Sequence, residues 1–150
     1  MVTTEMVKVY VNQLCAEIGT TAEDIYNPQN KAWYFNRGST TIEVFLNSYE
    51  TVNKQVRTFI RCFAPIYALP NDPQKKLDLF QGALEANSQY MGVKISTIAS
   101  KGFMYAVAER DIEGMDYKEF VTLVSDLGYW ADRLDDFLKE RFGAPQSNLN

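Results

Sequence analysis

Along this chain of 150 residues, the spacing of hydrophobic positions alternates between two periods. Apolar residues recur every three or four positions over Thr3–Ile18, and they alternate with polar residues, with breaks, over Trp33–Leu69. The helical spacing returns at Pro73–Met91, alternation resumes at Val93–Ile112, and helical spacing closes the chain at Asp116–Phe142. The pattern predicts helix, three strands, helix, two strands, helix, which is an α+β fold with an antiparallel sheet packed by helices.

Capping residues mark the ends of the predicted helices. Gly19 ends the first helix, Asp72 and Pro73 are typical of the start of the second, and Asp116 with Glu119 forms a capping box for the third. The first helix is expected to face the core with Met6, Val9, Tyr10, Leu14 and Ile18. The second is expected to face it with Leu77, Phe80, Ala83, Leu84 and Asn87.

Two of the predicted strands have complementary faces. In the strand beginning at Val56, basic and aromatic side chains share one face, and the strand beginning at Thr41 presents Phe45 on a corresponding face. Placing an aromatic pair and an opposite-charge pair in one register predicts these partners: Phe45 with Phe59, Val44 with Ile60, Ile42 with Cys62, and Glu43 with Arg61.

Composition narrows the classes of partner. The formal net charge is -4, which disfavours a nucleic acid or an anionic membrane, because both are bound by basic surfaces. No apolar run approaches the roughly 18 residues of a membrane span, and the first residues do not resemble a signal peptide. We therefore expect a cytoplasmic protein with one domain over residues 1–145 and a flexible polar tail over 146–150.

The residues that most often carry enzyme chemistry are missing. The chain has no histidine, so it lacks the commonest general base and the usual zinc ligand. Cys15 and Cys62 have no histidine to activate them and are interpreted as reduced structural residues. Nucleotide-binding glycine motifs are also absent. The sequence predicts a protein that is not an enzyme and that holds no cofactor or metal.

An acidic cluster on the last predicted helix leaves one alternative open. Asp132, Asp136 and Glu140 recur every four residues, and Asp135 lies beside them. Such a face could bind a divalent cation or a small ligand, which would make the protein a sensor or a metal-dependent enzyme, or it could be an acidic docking face. The simpler interpretation is a solvated helix face, since Lys139 balances part of the charge and no metal-binding loop is present.

The candidate site is the strand face that carries Arg57, Phe59, Arg61 and Phe63, with Phe45 from the neighbouring strand. Aromatic and arginine side chains are enriched where proteins bind one another, so this face is typical of a partner-binding or dimer interface. A helix of the same chain could cover it instead. A single-stranded RNA binder is a third interpretation, which the acidic charge disfavours.

The chain resembles the YbjN family of bacterial sensory transduction regulators from about Thr3 to Gly143. The segments that carry the resemblance are Trp33–Phe35, Leu84–Asn87, Ala108–Ile112 and Leu127–Asp132. The resemblance implies a single YbjN-like domain with the type III secretion chaperone-like fold. It also implies a protein that is often a homodimer, lacks enzymatic activity and binds partner proteins through hydrophobic patches.

Overall fold

The computed structural model describes residues 2–145, so the predicted tail over 146–150 lies outside the described residues. The helices are α1 (Thr4–Ile18), α2 (Ala22–Ile25), α3 (Pro73–Gln89) and α4 (Tyr117–Phe142), with a 3-10 turn at Ala99–Lys101. The strands are β1 (Tyr26–Asn27), β2 (Ala32–Arg37), β3 (Thr40–Glu50), β4 (Val56–Ala68), β5 (Lys94–Ile98) and β6 (Phe103–Asp111). The predicted order is confirmed, with the short α2 and β1 added after the first helix.

The predicted caps form as expected. Asp72 accepts a hydrogen bond from the backbone N–H of Lys75, and Pro73 occupies the first turn of α3. Asp116 and Glu119 bond each other's backbone N–H groups at 2.8 and 2.9 Å, which completes the capping box of α4. These local signals define the helix starts without help from the rest of the fold.

The strands form one antiparallel sheet in the order β1-β2-β3-β4-β6-β5. The last strand, β6, lies beside β4, and β5 occupies the sheet edge. Helix α3 separates β4 from β5 in the chain, so the two strands are not joined by a hairpin turn. Either β5 or β6 could therefore have paired with β4, and in the structure β6 does.

The predicted register between β3 and β4 is wrong by two residues. Phe45 lies opposite Arg61, not Phe59, and Glu43 lies opposite Phe63, not Arg61. The predicted partners Val44 with Ile60 and Ile42 with Cys62 fail in the same way, since Val44 pairs with Cys62. A shift of two residues leaves every side chain on its predicted face, so alternation alone cannot distinguish the two registers.

The hydrophobic core lies between one face of the sheet and the helices. Helix α4 packs across β3, β4 and β6, while α1 contacts α4 and α3 contacts β5. The largest fully buried side chains include Ile42 and Ile60 from the sheet and Phe120 from α4. Small residues such as Ala106 and Ala108 let the helices approach the sheet closely.

The predicted inward faces of α1 and α3 are only partly right. In α1, Leu14 is buried, but Met6, Val9 and Ile18 are exposed and the remaining buried residues are Val7, Val11 and Cys15. In α3, Ala83 is buried whereas Leu77 and Leu84 are 59% and 71% exposed. Both helices carry apolar residues on more than one side, so the helical period does not select the face that packs.

Asn87 fastens the edge strand β5 to α3. Its amide nitrogen donates to the carbonyl oxygen of Ile95 at 3.1 Å, and its amide oxygen accepts from the N–H of Ile95 at 2.6 Å. The side chain thus satisfies both backbone groups that Ile95 turns away from β6. It imitates a neighbouring strand at a position where an edge would otherwise be unpaired.

Candidate functional site

The face of the sheet that is turned away from the helices, here called the open face, carries the candidate site. Alternation and register place on it Phe45, Asn47, Tyr49, Arg57, Phe59, Arg61, Phe63, Tyr105, Val107, Glu109 and Asp111. Its apolar centre is a separate cluster of Phe63, Tyr105 and Val107, with Phe45 and Ile98 packed against it. In the described part of the chain, no helix residue belongs to this cluster.

Aromatic rings occupy the middle of the open face. The rings of Phe45 and Phe63 lie 5.4 Å apart at 48°, and Phe63 and Tyr105 lie 6.1 Å apart at 55°. A second pair, Tyr49 and Phe59, lies nearby with a 5.9 Å separation. These tilted geometries are favourable for aromatic pairs, so the rings hold one another in place without cover from a helix.

Arg61 lies at the centre of this arrangement. It is directly opposite Phe45 on β3 and directly opposite Glu109 on β6. Its guanidinium carbon is 4.9 Å from the ring centre of Phe63 and 5.6 Å from that of Phe45. Its Nε donates to Glu109 Oε2 at 2.6 Å, and its Nη1 donates to Asn47 Oδ1 at 3.4 Å. Arg61 therefore lies over two aromatic rings while it is anchored by a carboxylate.

Arg57 makes a different ion pair at the end of the same face. Its Nε donates to Asp111 Oδ2 at 2.6 Å, and its Nη2 contacts the same oxygen. Asp111 also accepts a hydrogen bond from the backbone N–H of Glu113 at 2.8 Å. That backbone bond, followed by the interaction with Arg57, lowers the pKa of Asp111 below its ordinary value. Asp111 is thus held as a charged partner for Arg57.

The structure places all five predicted site residues on one face, as the alternation of β3 and β4 indicated. Phe45 and Phe59 are half-buried, Phe63 is nearly covered, and Arg57 is the most exposed of the five. Four further residues of this face come from β6, namely Tyr105, Val107, Glu109 and Asp111. The alternation within Phe103–Ile112 contains them, but only the pairing of β6 with β4 brings them to the site.

The acidic cluster of α4 engages ordinary surface partners. Asp135 accepts from Lys139 at 2.6 Å, and Asp132 accepts from Thr40 Oγ1 at 3.1 Å. Over residues 2–145, no three His, Cys, Asp or Glu side chains are grouped as a metal ion would require. The same residues include no helix that is long and apolar enough to cross a membrane.

Both cysteines are free and buried, as predicted for structural residues. Complete burial raises the pKa of Cys62 to about 12. Burial, together with the nearby Glu23 carboxylate, also raises the pKa of Cys15. A thiol becomes a nucleophile by forming its thiolate, so these environments disfavour reactivity at both positions.

The comparisons with known proteins find similarity in fold and none in sequence. No family model matches the chain, and no curated protein matches it in sequence. A chain in the crystal structure of the ExsC–ExsE complex superposes with a TM-score of 0.65 at 10% identity, covering 99% of this chain and 100% of that one. A chain in the HopA1–SchA chaperone–effector complex gives a TM-score of 0.60 at 10% identity, covering 91% and 99%.

The chain has a type III secretion chaperone-like fold. The predicted fold class is therefore confirmed over nearly the whole chain. At 10% identity the likeness concerns the arrangement of helices and strands. The surface residues of the open face have to be interpreted from their own chemistry.

Proposed function

We propose that this protein is a non-enzymatic, chaperone-like domain that binds a partner protein through the open face. The observation that carries the proposal is an aromatic cluster on the sheet face opposite the helices, a cluster to which no described helix residue belongs. Phe45, Phe59 and Phe63 would supply the apolar contacts, and Arg57 and Arg61 the polar ones. Aromatic and arginine side chains of this kind dominate the energetics of protein interfaces. The likeness to a chain from a chaperone–effector complex supports the same reading.

The charges of the open face favour a protein over a nucleic acid. Arg57 is paired with Asp111, Arg61 with Glu109, and Lys101 lies 3.9 Å from Glu43. Each of these three cations therefore has an anion beside it, which lowers the positive charge that they could offer to a phosphate backbone. Nucleic-acid affinity depends on such charge, and the whole chain has a net charge of -4.

The test is a pull-down from the native cell extract with two matched variants. Phe59→Ser alters the open face, and Tyr129→Ser alters an exposed aromatic residue of α4, on the other side of the sheet. The proposal predicts that a protein captured by the wild type and by Tyr129→Ser is lost with Phe59→Ser. Equal capture by all three folded proteins would contradict the assignment to this face.

We further propose that the protein is a homodimer. Leu77 and Leu84 are seven residues apart on α3, so they lie on one side of the helix, and both are exposed. Two exposed leucines on one side of a helix offer an apolar surface that a second copy of the chain could cover. Self-association there would leave the open face for the partner.

Light scattering after size exclusion at micromolar concentration tests the dimer. We expect twice the chain mass for the wild type and the chain mass for Leu84→Glu, since Leu84 is exposed and its replacement leaves the core intact. A monomeric wild type would contradict the proposed dimer and would not bear on the proposed role of the open face.

The YbjN assignment and a regulatory role in the bacterial cytoplasm also stay proposals. They are supported by the four sequence segments that carry the resemblance and by the shared fold. One of these segments ends at Asn87, whose side chain hydrogen-bonds the backbone of the edge strand β5.

A further inference from the structure

We propose that Arg61 is a displaceable cover over Phe45 and Phe63, which a binding partner must move in order to reach the two rings. This inference rests on the proposed function of the open face and adds a mechanism that limits access to it. In the unbound protein, Arg61 would then shield the apolar rings from water. This shielding would be its main role, and its direct contact with the partner would be secondary.

The geometry places the guanidinium where a cover would have to be. It lies over both rings, at 4.9 and 5.6 Å from their centres, on a face where no described helix residue joins the aromatic cluster. Phe63 is only 9% exposed even though no helix residue belongs to its cluster. Its neighbours include Phe45, Tyr105 and Val107 of the same cluster, Glu43 directly opposite on β3, and the Arg61 side chain. Among these, Arg61 is the flexible side chain whose charged group lies over both the Phe45 and the Phe63 rings.

The anchor of Arg61 is of a kind that can be released. The Arg61 and Glu109 side chains are 34% and 45% exposed, so water competes for both charges and salt screens their attraction. The second contact, to Asn47, is a long one at 3.4 Å. The arginine can therefore leave the rings without breaking a buried ion pair.

Arg57 provides the contrast on the same strand. Its partner Asp111 is only 18% exposed and is held by a backbone N–H as well. Within residues 2–145, no aromatic ring lies beneath the Arg57 guanidinium. The two arginines, which look equivalent in the sequence, would thus have different roles, since of the two only Arg61 has its guanidinium over aromatic rings in the described part of the chain.

The experiment measures access to the rings with Nile red, a neutral apolar dye that does not respond to the loss of a positive charge as an anionic dye would. We expect Arg61→Ala to bind the dye about two- to fivefold more tightly than the wild type, which corresponds to the loss of a cation–π cover at a partly exposed site. Arg57→Ala is the matched control and should bind like the wild type. Raising the NaCl concentration should increase dye binding to the wild type more than to Arg61→Ala.

Several results would overturn the cover. Unchanged or weaker dye binding by Arg61→Ala would do so, and so would an equal increase in both arginine variants, which would indicate general loosening of the sheet. If Arg61→Ala does not fold, Glu109→Gln removes the negative charge that anchors Arg61 but keeps the arginine, and should also increase dye binding. The dye assay needs no partner protein, so its failure is distinguishable from failure of the proposed function in the pull-down.

Discussion

Replacing Asn87 with alanine should destabilise the protein, because the Asn87 side chain hydrogen-bonds the backbone of the edge strand β5. The substitution removes two hydrogen bonds, at 2.6 and 3.1 Å, and leaves the N–H and the carbonyl of Ile95 without a protein partner. Ile95 is buried and Asn87 is half-buried, so water replaces the lost bonds incompletely. At about 0.5–1.5 kcal/mol for each bond, we expect the free energy of unfolding to fall by about 1–3 kcal/mol.

Urea denaturation followed by circular dichroism measures this change. The midpoint should fall while the slope stays constant, because the surface exposed on unfolding is nearly the same. Gln81→Ala is the matched control on α3, since among residues 2–145 the Gln81 side chain makes only a long, exposed bond to Glu85 at 3.4 Å. Its unfolding free energy should stay within about 0.5 kcal/mol of the wild type. An Asn87→Ala protein as stable as Gln81→Ala would refute the argument that the side chain substitutes for a strand.

Three further predictions concern ionisable groups. Cys15 and Cys62 should react with a thiol reagent at pH 8 only after denaturant is added, because burial raises the pKa of both thiols; rapid reaction of the native protein would contradict this. The pKa of Asp111 is lower in the folded protein than the ordinary 3.8, so its ionisation stabilises the fold above that pH, and this stabilisation is lost as the pH falls through the folded pKa. Urea titrations at pH 3 and pH 6 should therefore show a smaller acid-induced loss of stability for Asp111→Asn than for the wild type, and equal losses would oppose the assigned cause. Calorimetric titration of the wild type with Mg²⁺, Ca²⁺ or Zn²⁺ should show no saturable binding at the acidic cluster. Saturable binding that the double variant Asp132→Asn, Asp136→Asn abolishes would favour the sensor alternative.

The sequence was sufficient for the order of the long elements and for the faces of β3 and of β4 up to Phe63, before the bulge between Pro65 and Tyr67. Both follow from local periods and caps, such as the alternation around Phe59 and the capping box at Asp116, which do not depend on distant parts of the chain. The candidate residues Phe45, Phe59 and Phe63 share one face in any register that differs by two residues. For this reason the face prediction survived an error in register.

Long-range pairing could not be predicted in the same way. An apparent match between Glu43 and Arg61 suggested the wrong register, whereas Arg61 finds its carboxylate at Glu109, on a strand that is distant in sequence. Which strand lies beside β4 depends on how α3 and α4 pack, and no local pattern records that. The misassigned sides of α1 and α3 have a similar origin, since exposed residues such as Leu84 are as apolar as the buried ones.

The most direct test of the open face as a protein-binding surface is site-specific photo-cross-linking. A benzoylphenylalanine would replace Phe59 on the open face in one protein and Tyr129 on α4 in another, and both would be irradiated in the native cell extract. We predict a discrete cross-linked partner from position 59 and none from position 129. A partner that cross-links from position 129 and not from position 59 would contradict the account.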